Sequence, residues 1–518
     1  MTGVVAGARH LRRLFTIART LARHDALFPL EMLGVAPAIT WAAHHLSRRE
    51  VAGRRGQRLA AALQELGPSF IKVGQILSVR PDLVGEEIAA DLANLQDRLP
   101  AFSANEARRA VETELGQPIA DLFSSFDDEP VAAASIAQVH FATTTDGRDV
   151  AVKVLRPRIE EIFAADMALA EWIAAVAERT QPALRRLKPV EVVETLAQSV
   201  AVEMDLRLEA AAASELAENT ASDVGFRVPA VDWQRTGRRA LTVERIGGIP
   251  IDERERLIEA GLDPERIVAL AAQTFFNQVF RDGFFHADMH PGNLFVDEDG
   301  SIVAVDFGIM GRLDRQTRRT LAEMLLGFLT RDYGRVADVH FEAGYVPKGY
   351  SRDLFMQACR SIGEPIFERP LNEISLARLL AQLFRITEQF GMETQPQLLL
   401  LQKTMLMTEG IGRALTPELN VWEVSRPLIE EWSLANLGPQ ARIVDGASDA
   451  GEFVQRMPGM ALKAEKLVND LASGGLKLHP DTVEEMARAQ AARSARALRW
   501  LWFVAGLALA LAALALLD

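Results

Sequence analysis

Cysteine is almost absent from this 518-residue chain, which contains only Cys359. A single cysteine can form no intrachain disulfide and no cysteine-rich zinc module. Excess positive charge is also missing, because 70 acidic and 57 basic residues give a net charge of -13, which argues against a general nucleic-acid binder. Lysine is scarce too, since it supplies eight of the 57 basic residues. A reactive or metal-binding site must therefore be built from Asp, Glu, Asn, Lys and His.

The two ends of the chain carry patterns that could meet a membrane. Residues 1–24 contain five arginines and no acid. A transit peptide, a basic amphipathic helix lying on an anionic membrane and a solvated arginine-rich helix all share this pattern. At the other end, residues 500–517 carry no charge, and as a helix they would span roughly 27 Å of a hydrocarbon layer about 30 Å thick.

The apolar run at 500–517 predicts a C-terminal transmembrane helix, with a buried core helix as the alternative. Because Arg493, Arg496 and Arg499 precede the run, the positive-inside rule places the bulk of the protein in the cytoplasm. We expect a bacterial inner membrane, and a mitochondrial inner membrane is the alternative. Gly506 and the alanines around it could pair two such helices in a homodimer.

The spacing of apolar residues, helical over most of the sequence and interrupted by short β-rich runs, predicts a mostly helical α+β protein. Two Asp-Gly pairs, Asp146-Gly147 and Asp299-Gly300, join β-rich runs and predict hairpins, and residues 238–246 predict a further strand. The predicted segments are a helical N-terminal extension (1–125), a small α/β part with a helical insert (126–248), a larger helical part (249–440), a helical linker (441–499) and the membrane helix (500–517).

The stretch 284–296, FFHADMHPGNLFV, has the spacing of a phosphoryl-transfer loop. Asp288 stands five residues before Asn293, which is the separation of the catalytic Asp and the metal-binding Asn in the kinase loop H-R-D-x-x-x-x-N. Asp306-Phe307-Gly308 follows directly after a short apolar run. We therefore predict that Asp288 positions the nucleophile, and that Asn293 and Asp306 hold magnesium through hard oxygen ligands.

Two histidines in the same stretch raise a different chemistry. His286 and His290 have the i, i+4 spacing that binds zinc on a helix, but Pro291-Gly292 predicts a loop here. We expect His286 to brace Asp288, while His290 stands where many kinases place a lysine.

A lysine in alternating apolar surroundings, Lys153 in VAVKV, matches the β-strand lysine of kinases. In a chain that otherwise uses arginine, a compact ammonium at this position indicates a phosphate contact. A lysine that snorkels from a strand edge is the alternative. Glu203, Asp205 and Glu209 lie in a helical context further along, and any of them could pair with Lys153 or assist the metal.

The glycine-rich loop of protein kinases is missing from its expected place before Lys153. Residues 132–139 read AAASIAQV, with alanine at each glycine position. Because a Cβ restricts φ and keeps backbone amides further from phosphates, we expect the nucleotide geometry to differ from that of a protein kinase. An ordinary small-residue turn is the alternative. The candidate nucleotide-binding residues here are Ala132, Ala133, Ala134, Ser135, Ile136, Ala137 and Val139.

Together these motifs resemble those of the UbiB/ADCK family of atypical kinase-like proteins over roughly residues 60–440. Lys72-Val73-Gly74-Gln75 is similar to the family's K-x-G-Q motif, residues 132–137 to its alanine-rich loop, and Glu203-Met204-Asp205 to its E-x-D motif. HADMHPGN and VDFGIMG are similar to its catalytic loop and metal motif, and no A-P-E element follows.

The resemblance implies a two-lobe protein-kinase-like fold in which the K-x-G-Q segment of the N-terminal extension folds across the active site. It implies binding and slow hydrolysis of ATP with magnesium in support of ubiquinone (coenzyme Q) biosynthesis, in contact with membrane lipids, quinone precursors and other ubiquinone-biosynthesis proteins. Lys72 and Gln75 would enter the nucleotide site, where Lys72 and Lys153 would act in catalysis beside Asp288. Bacterial members commonly end in two membrane segments, whereas the apolar run here suffices for one.

Two other functions are compatible with the same residues. HADMHPGN also resembles the loop of aminoglycoside phosphotransferases, which makes a small-molecule kinase one alternative. The other is a nucleotide-regulated lipid-binding scaffold in which hydrolysis is incidental.

Overall fold

The computed structural model is built mainly of helices, with most of its strands in two sheets. The structure describes residues 2–29, 52–78, 84–93, 95, 99–180, 189–365, 386–387, 389–392, 396–418, 427–430 and 432. Its helices are α1 Thr2–Arg23, α2 Arg55–Leu66, α3 Pro68–Ser78, α4 Glu86–Ala93, α5 Ala104–Leu115, α6 Ile119–Leu122, α7 Ile159–Thr180, α8 Pro189–Glu203, α9 Leu206–Asn219, α10 Arg254–Glu259, α11 Pro264–Phe276, α12 Arg315–Leu329, α13 Tyr333–Glu342, α14 Arg352–Gly363 and α15 Pro396–Leu415. Its strands are β1 Phe123–Phe126, β2 Ala132–Ala133, β3 Ala137–Thr144, β4 Asp149–Leu155, β5 Phe226–Arg227, β6 Ala240–Glu244, β7 Ile249–Pro250, β8 Phe284–His286, β9 Leu294–Val296, β10 Ile302–Ala304 and β11 Met310–Arg312.

The first helix, α1, packs its apolar face against other helices of the N-terminal region. Leu14, Ile17 and Leu21 are buried in one cluster with residues of α2, α4 and α7. On the polar side, Arg13 Nε donates to Asp166 Oδ1 of α7 at 2.9 Å. A helix lying on a membrane must turn its apolar face to lipid. For residues 12–23, whose side chains the structure describes, the apolar face of α1 is covered by protein.

The first sheet has the strand order β1–β3–β4–β6, with β2 paired to β3. β3 and β4 form an antiparallel hairpin that turns at Asp146-Gly147, where Gly147 has a φ of 86°. A positive φ suits glycine, and the predicted hairpin is confirmed. The strand predicted over 238–246 is confirmed as β6, which pairs antiparallel with β4.

Alternation along β4 directs Lys153 away from the core on one side of this sheet. Val150, Val152 and Val154 are buried in a cluster with Val111 of α5. Because successive side chains of a strand point to opposite faces, Lys153 points to the other face, where residues of α7, α8 and α9 form a second cluster. The strand pattern thus accounts for a lysine facing those helices.

The second sheet has the strand order β5–β10–β9–β7. β9 and β10 are antiparallel and turn at Asp299-Gly300, where Gly300 has a φ of 84°, which confirms the second predicted hairpin. β8 and β11 form a separate antiparallel pair with Met310 opposite His286. The loop that follows β8 and the loop that precedes β11 therefore lie next to each other.

The remaining helices, α11 to α15, form the C-terminal part of the described fold. α11 continues into a π-helical segment, Asn277–Asp282, which leads into β8, and such segments are frequent at functional sites. α12 and α13 pack on each other, as do α13 and α14, around a buried cluster that contains Tyr333 and Phe355. α15 packs on α11 and β11, which brings it beside the loops.

The predicted division into segments stays a prediction, and one of its boundaries falls on a described element. The predicted boundary after residue 125 falls inside β1, so the first strand begins within the segment that was expected to be helical. The linker predicted over 441–499 and the transmembrane helix predicted over 500–517 lie outside the described residues. Within the part of the chain that the structure describes, no helix is long and apolar enough to cross a membrane.

Candidate active site

Lys153 of β4 lies between two carboxylates. Its Nζ donates to Glu209 Oε1 at 2.7 Å and Oε2 at 2.9 Å, and to Asp306 Oδ1 at 3.1 Å. Glu209 comes from the first turn of α9 and its side chain is only 8% exposed. The sequence left three acids open as partners of Lys153, and the structure brings Glu209 onto it.

The other two candidate acids have different partners. Glu203, at the end of α8, pairs with Lys72 of α3, with Oε2 at 2.5 Å from Nζ. Asp205 caps the N-terminus of α9, where it accepts from the backbone and side chain of Arg207. Hydrogen bonds from Arg207 hold the pKa of Asp205 below its usual value. The E-x-D segment thus contributes one acid to a lysine and one to a helix cap.

Gly74 lies close to side chains of neighbouring elements. A Cβ at Gly74 would lie 2.9 Å from Leu63 Cδ1 and 3.0 Å from Leu95 Cδ2, so a larger residue here would displace the ends of these two leucine side chains. Lys72 is buried, and Gln75 follows it by one helical turn. The Lys72 ammonium is also near enough to contribute to lowering the pKa of Asp306.

Asp306 has the electrostatics of a carboxylate that remains ionised. The attraction of Lys153 lowers its pKa to about 2. For Lys153, burial works against the ammonium, but Asp306 and Glu209 together raise its pKa above the usual value. The backbone of Asp306 has a φ of 61°, a left-handed conformation that is uncommon outside glycine and that recurs at functional sites. Its side chain is 51% exposed and is therefore accessible to a ligand.

The loop after β8 holds Asp288 through its backbone. The Asp288 amide donates to His286 Nδ1 at 3.2 Å, and His286 Nε2 lies 3.1 Å from the Val305 carbonyl oxygen. Burial lowers the pKa of His286, so the ring is neutral, with a proton on Nε2 for Val305 and a lone pair on Nδ1 for Asp288. The prediction that His286 braces Asp288 is confirmed. His290 instead caps the turn Pro291–Asn293 by accepting from Gly292 N at 3.1 Å.

Asn293 connects the Asp288 loop to the Asp306 loop. Its Nδ2 donates to the Asp288 carbonyl oxygen at 2.9 Å and lies 3.4 Å from Asp288 Oδ2. Its own carbonyl oxygen accepts from Val305 N at 2.9 Å, next to Asp306 in the chain. Since Nδ2 is used as a donor, the side-chain oxygen of Asn293 is the atom that could bind a cation.

Asn293 and Asp306 offer the donor atoms that magnesium prefers. One carboxylate and one amide oxygen are hard ligands, and magnesium usually takes one or two protein carboxylates and completes its octahedron with water and phosphate oxygens. Among the described residues there is no group of three or more His, Cys, Asp or Glu that could hold a metal by itself. The chemistry of these two oxygens therefore fits a magnesium ion.

Lys403 was not predicted from the sequence. It lies on α15, and its Nζ is 2.8 Å from Asp288 Oδ1. The two side chains are 29% and 27% exposed, respectively. Its one sequence signal was its chemistry, as a lysine in a chain that mostly uses arginine.

The alanine-rich stretch forms a tight hairpin beside Lys153. Val139 of β3 pairs with Ala132 of β2 on one side and with Lys153 of β4 on the other. In the turn, Ala134 N donates to the Ala137 carbonyl oxygen at 2.8 Å, so this amide is already used within the chain. Arg156 donates to the Ala134 carbonyl oxygen at 2.8 Å. The turn is thus fixed by its own bonds, in contrast to a glycine loop whose amides face phosphates.

The chain is similar to known proteins over most of its length. Residues 94–340 match the family model of the ABC1 atypical kinase-like domain, and residues 359–420 match that of the UbiB helical domain. A protein of Marinobacter nauticus named probable protein kinase UbiB is 41% identical over 499 residues, which cover 95% of this chain and 91% of the relative. A protein of the same name from Xanthomonas axonopodis is 44% identical over 417 residues, which cover 78% of this chain and 75% of the relative.

A solved structure shares the fold. It is a Mycobacterium tuberculosis protein in complex with erythromycin, 28% identical to this chain, with a TM-score of 0.51. The match covers 71% of this chain and 93% of that protein. Asp288 lies in the region that matches the kinase-like domain and Lys403 in the region that matches the helical domain, so their ion pair joins the two regions.

Proposed function

Because the chain belongs to the UbiB family of ABC1 atypical kinase-like proteins, we propose that it binds and hydrolyses ATP with magnesium in support of ubiquinone biosynthesis. The observation that carries the proposal is the meeting of Lys153, Glu209 and Asp306 in one ion-paired cluster. Asn293 adjoins this cluster because its carbonyl oxygen accepts a hydrogen bond from Val305 N, next to Asp306. Asp288 adjoins it because its carbonyl oxygen accepts from Asn293 Nδ2. This is the set of groups that phosphoryl transfer needs.

Each group has a role that follows from its chemistry. Lys153 supplies a compact positive charge for phosphate oxygens, and Glu209 fixes the direction of its ammonium. Asp306 and Asn293 would hold magnesium, which would neutralise phosphate charge when bound. Asp288 accepts a hydrogen bond from the attacking water or hydroxyl group and orients it toward the γ-phosphorus.

The helix that carries the K-x-G-Q motif favours a small acceptor over a protein. Lys72 on α3 pairs with Glu203 and contributes to the field at Asp306, so the N-terminal extension reaches the phosphate side of the site. A helix at this place limits the approach of a folded protein substrate. Water, or a hydroxyl group on a small molecule, fits such a site better.

The proposal is tested by lipid mass spectrometry on cells that lack the protein. We expect a quinone precursor to accumulate, and we expect the wild-type chain to restore the normal lipid while Asp306→Asn does not. Asp299→Asn, in the exposed turn of the β9–β10 hairpin, is the matched control and should restore it. Full rescue by Asp306→Asn would favour the nucleotide-regulated lipid-binding scaffold instead.

A small-molecule kinase is the second candidate. The M. tuberculosis protein that shares the fold was solved with erythromycin bound, which shows that a relative of this chain can hold a drug-sized organic molecule. A phosphorylated organic product formed from ATP by the purified protein would favour this function. Release of inorganic phosphate alone would favour the ATPase.

We also propose attachment to the bacterial inner membrane through residues 500–517, with the catalytic part in the cytoplasm; a mitochondrial inner membrane is the alternative. Deletion of residues 497–518 removes the uncharged run and should move the protein from the membrane pellet to the supernatant, because about 18 apolar residues are needed for a stable crossing. Fractionation of cells followed by immunoblotting measures this. A truncated protein that stays fully in the pellet would contradict the C-terminal anchor.

A further inference from the structure

We propose that Lys403 is a positioning residue for Asp288, provided by the helical domain to the catalytic loop. The inference rests on the proposed phosphoryl-transfer function and extends it to a residue outside the kinase-like domain. Its basis is the ion pair between Lys403 Nζ and Asp288 Oδ1 at 2.8 Å.

The two oxygens of Asp288 have donors from different parts of the chain. Oδ1 accepts from Lys403, and Oδ2 lies 3.4 Å from Asn293 Nδ2. The backbone amide of Asp288 is fixed by His286. A carboxylate held at both oxygens and at its backbone keeps one orientation, which is what a group that orients a nucleophile requires.

α15 is itself firmly held, so Lys403 has a defined position. Thr404, Ile411 and Leu415 are buried to 1% exposure or less. Arg254 Nε donates to the Leu415 carbonyl oxygen at 2.8 Å at the end of the helix. The side chain of Thr408, one turn beyond Lys403, contacts Met289 Sδ at 4.0 Å, next to Asp288. The helix that carries the ammonium is therefore held beside the loop.

The catalytic loop does not provide this positive charge itself. At the position where many kinases have a lysine, this chain has His290, whose Nδ1 accepts from Gly292 N and caps the following turn. Lys72 and Lys153 pair with Glu203 and Glu209. Lys403 is the lysine that contacts Asp288, and it comes 115 residues later in the chain.

The ion pair has a direct consequence for the reaction. As the attacking oxygen bonds to the γ-phosphorus and the bond from phosphorus to the leaving ADP oxygen breaks, the proton of the attacking group passes to Asp288. Lys403, which contacts Oδ1 of Asp288, would hold the carboxylate in place during this transfer. Since both side chains are partly exposed, the pair should contribute little to folding stability, while its effect on the orientation of Asp288 is immediate.

The test compares Lys403→Met and Lys403→Arg with the wild-type protein. The control is Lys348→Met, which removes an exposed lysine in the segment between α13 and α14. We expect Lys403→Met to lower kcat for ATP hydrolysis about 10- to 100-fold, the scale of a small misplacement of a reacting group. The KM and Kd for ATP and the Tm should stay close to those of the wild type. Lys403→Arg keeps the charge and should recover part of kcat, although its planar head fits the site less well.

Several results would overturn the inference. An unchanged kcat in a folded Lys403→Met protein would show that Asp288 needs no such partner. A fall in Tm, with equal loss of activity in Lys403→Met and Lys403→Arg, would mean that the residue only stabilises the fold. If the wild-type and Lys348→Met proteins both fail to hydrolyse ATP, the proposed function itself is wrong and no reaction exists for Lys403 to assist. A loss confined to kcat and partly rescued by arginine supports both proposals.

Discussion

Asp306→Asn is expected to lower magnesium-dependent ATP hydrolysis by about 100- to 1,000-fold or more, the scale seen when one electrostatic group is removed from a reaction centre. The substitution keeps the size of the side chain but removes the negative charge that would bind magnesium. It also replaces the charged acceptor that lies 3.1 Å from Lys153 with a neutral amide. Both changes act where phosphate charge must be neutralised.

The measurement is steady-state hydrolysis by purified protein as a function of magnesium concentration. Asp299→Asn is the control, because Asp299 lies in the exposed turn of the β9–β10 hairpin, where its Oδ1 accepts from the Ser301 amide at 2.9 Å. Wild-type turnover by a folded Asp306→Asn protein would refute the metal assignment. A shifted magnesium dependence with near-normal turnover at saturation would indicate that Asn293 and the phosphates suffice.

The ionisation of Asp306 also limits how hydrolysis can depend on pH. Lys153 lowers its pKa to about 2 in the folded protein, below the value of about 3.9 in an unfolded chain. Its charge therefore stabilises the folded state above about pH 4, and this contribution is lost as the pH falls through 2. A loss of hydrolysis above about pH 4 must therefore come from the titration of a group other than Asp306.

Lys153→Met is expected to have the second large effect, and this one includes the fold. Glu209 is 8% exposed, and without Lys153 its charge would be left unpaired in a nearly buried place. Removal of one partner of a buried pair costs about 3–5 kcal/mol, and because Lys153 is itself 18% exposed, we expect the lower end of this range. Nucleotide binding should weaken as well, since the phosphate contact is gone.

A double variant separates these two effects. Lys153→Met combined with Glu209→Met replaces the pair by apolar side chains and should recover most of the stability, but not ATP binding. Urea unfolding and fluorescence titration with a nucleotide measure the two properties. Equal stability of the wild type and Lys153→Met would show that Glu209 finds another partner. Hydrolysis by the double variant would mean that Lys153 does not contact phosphate.

Features that depend on neighbouring residues could be predicted from the sequence. The hairpins at Asp146-Gly147 and Asp299-Gly300 follow from turns that need a positive φ. The face of the sheet to which Lys153 points follows from the alternation of β4. His286 was expected to brace Asp288 because a proline and a glycine close behind it exclude a helix. All of these depend on a few adjacent positions.

Features that depend on packing could not be predicted in this way. Glu203 and Glu209 lie on successive helices, and only the position of α9 on the sheet decides which of them reaches Lys153. Lys403 has no motif around it and reaches Asp288 only because α15 packs beside the catalytic loop. The interpretation of residues 1–24 stayed open for the same reason, because an apolar helix face looks alike whether protein or lipid covers it.

The short connection between α8 and α9 mechanically joins the two lysine pairs. Glu203 is the last residue of α8, Asp205 caps α9, and only the buried Met204 stands between them. Glu209 follows in the first turn of α9. The acids that pair with Lys72 and Lys153 therefore lie on two directly connected helices. If the N-terminal extension moved and displaced Lys72, its ion-pair partner Glu203 would also move. Because α8 and α9 are directly connected, Glu209 would then shift, and with it the position of the Lys153 ammonium. The position of the K-x-G-Q helix and the position of the Lys153 ammonium would then change together.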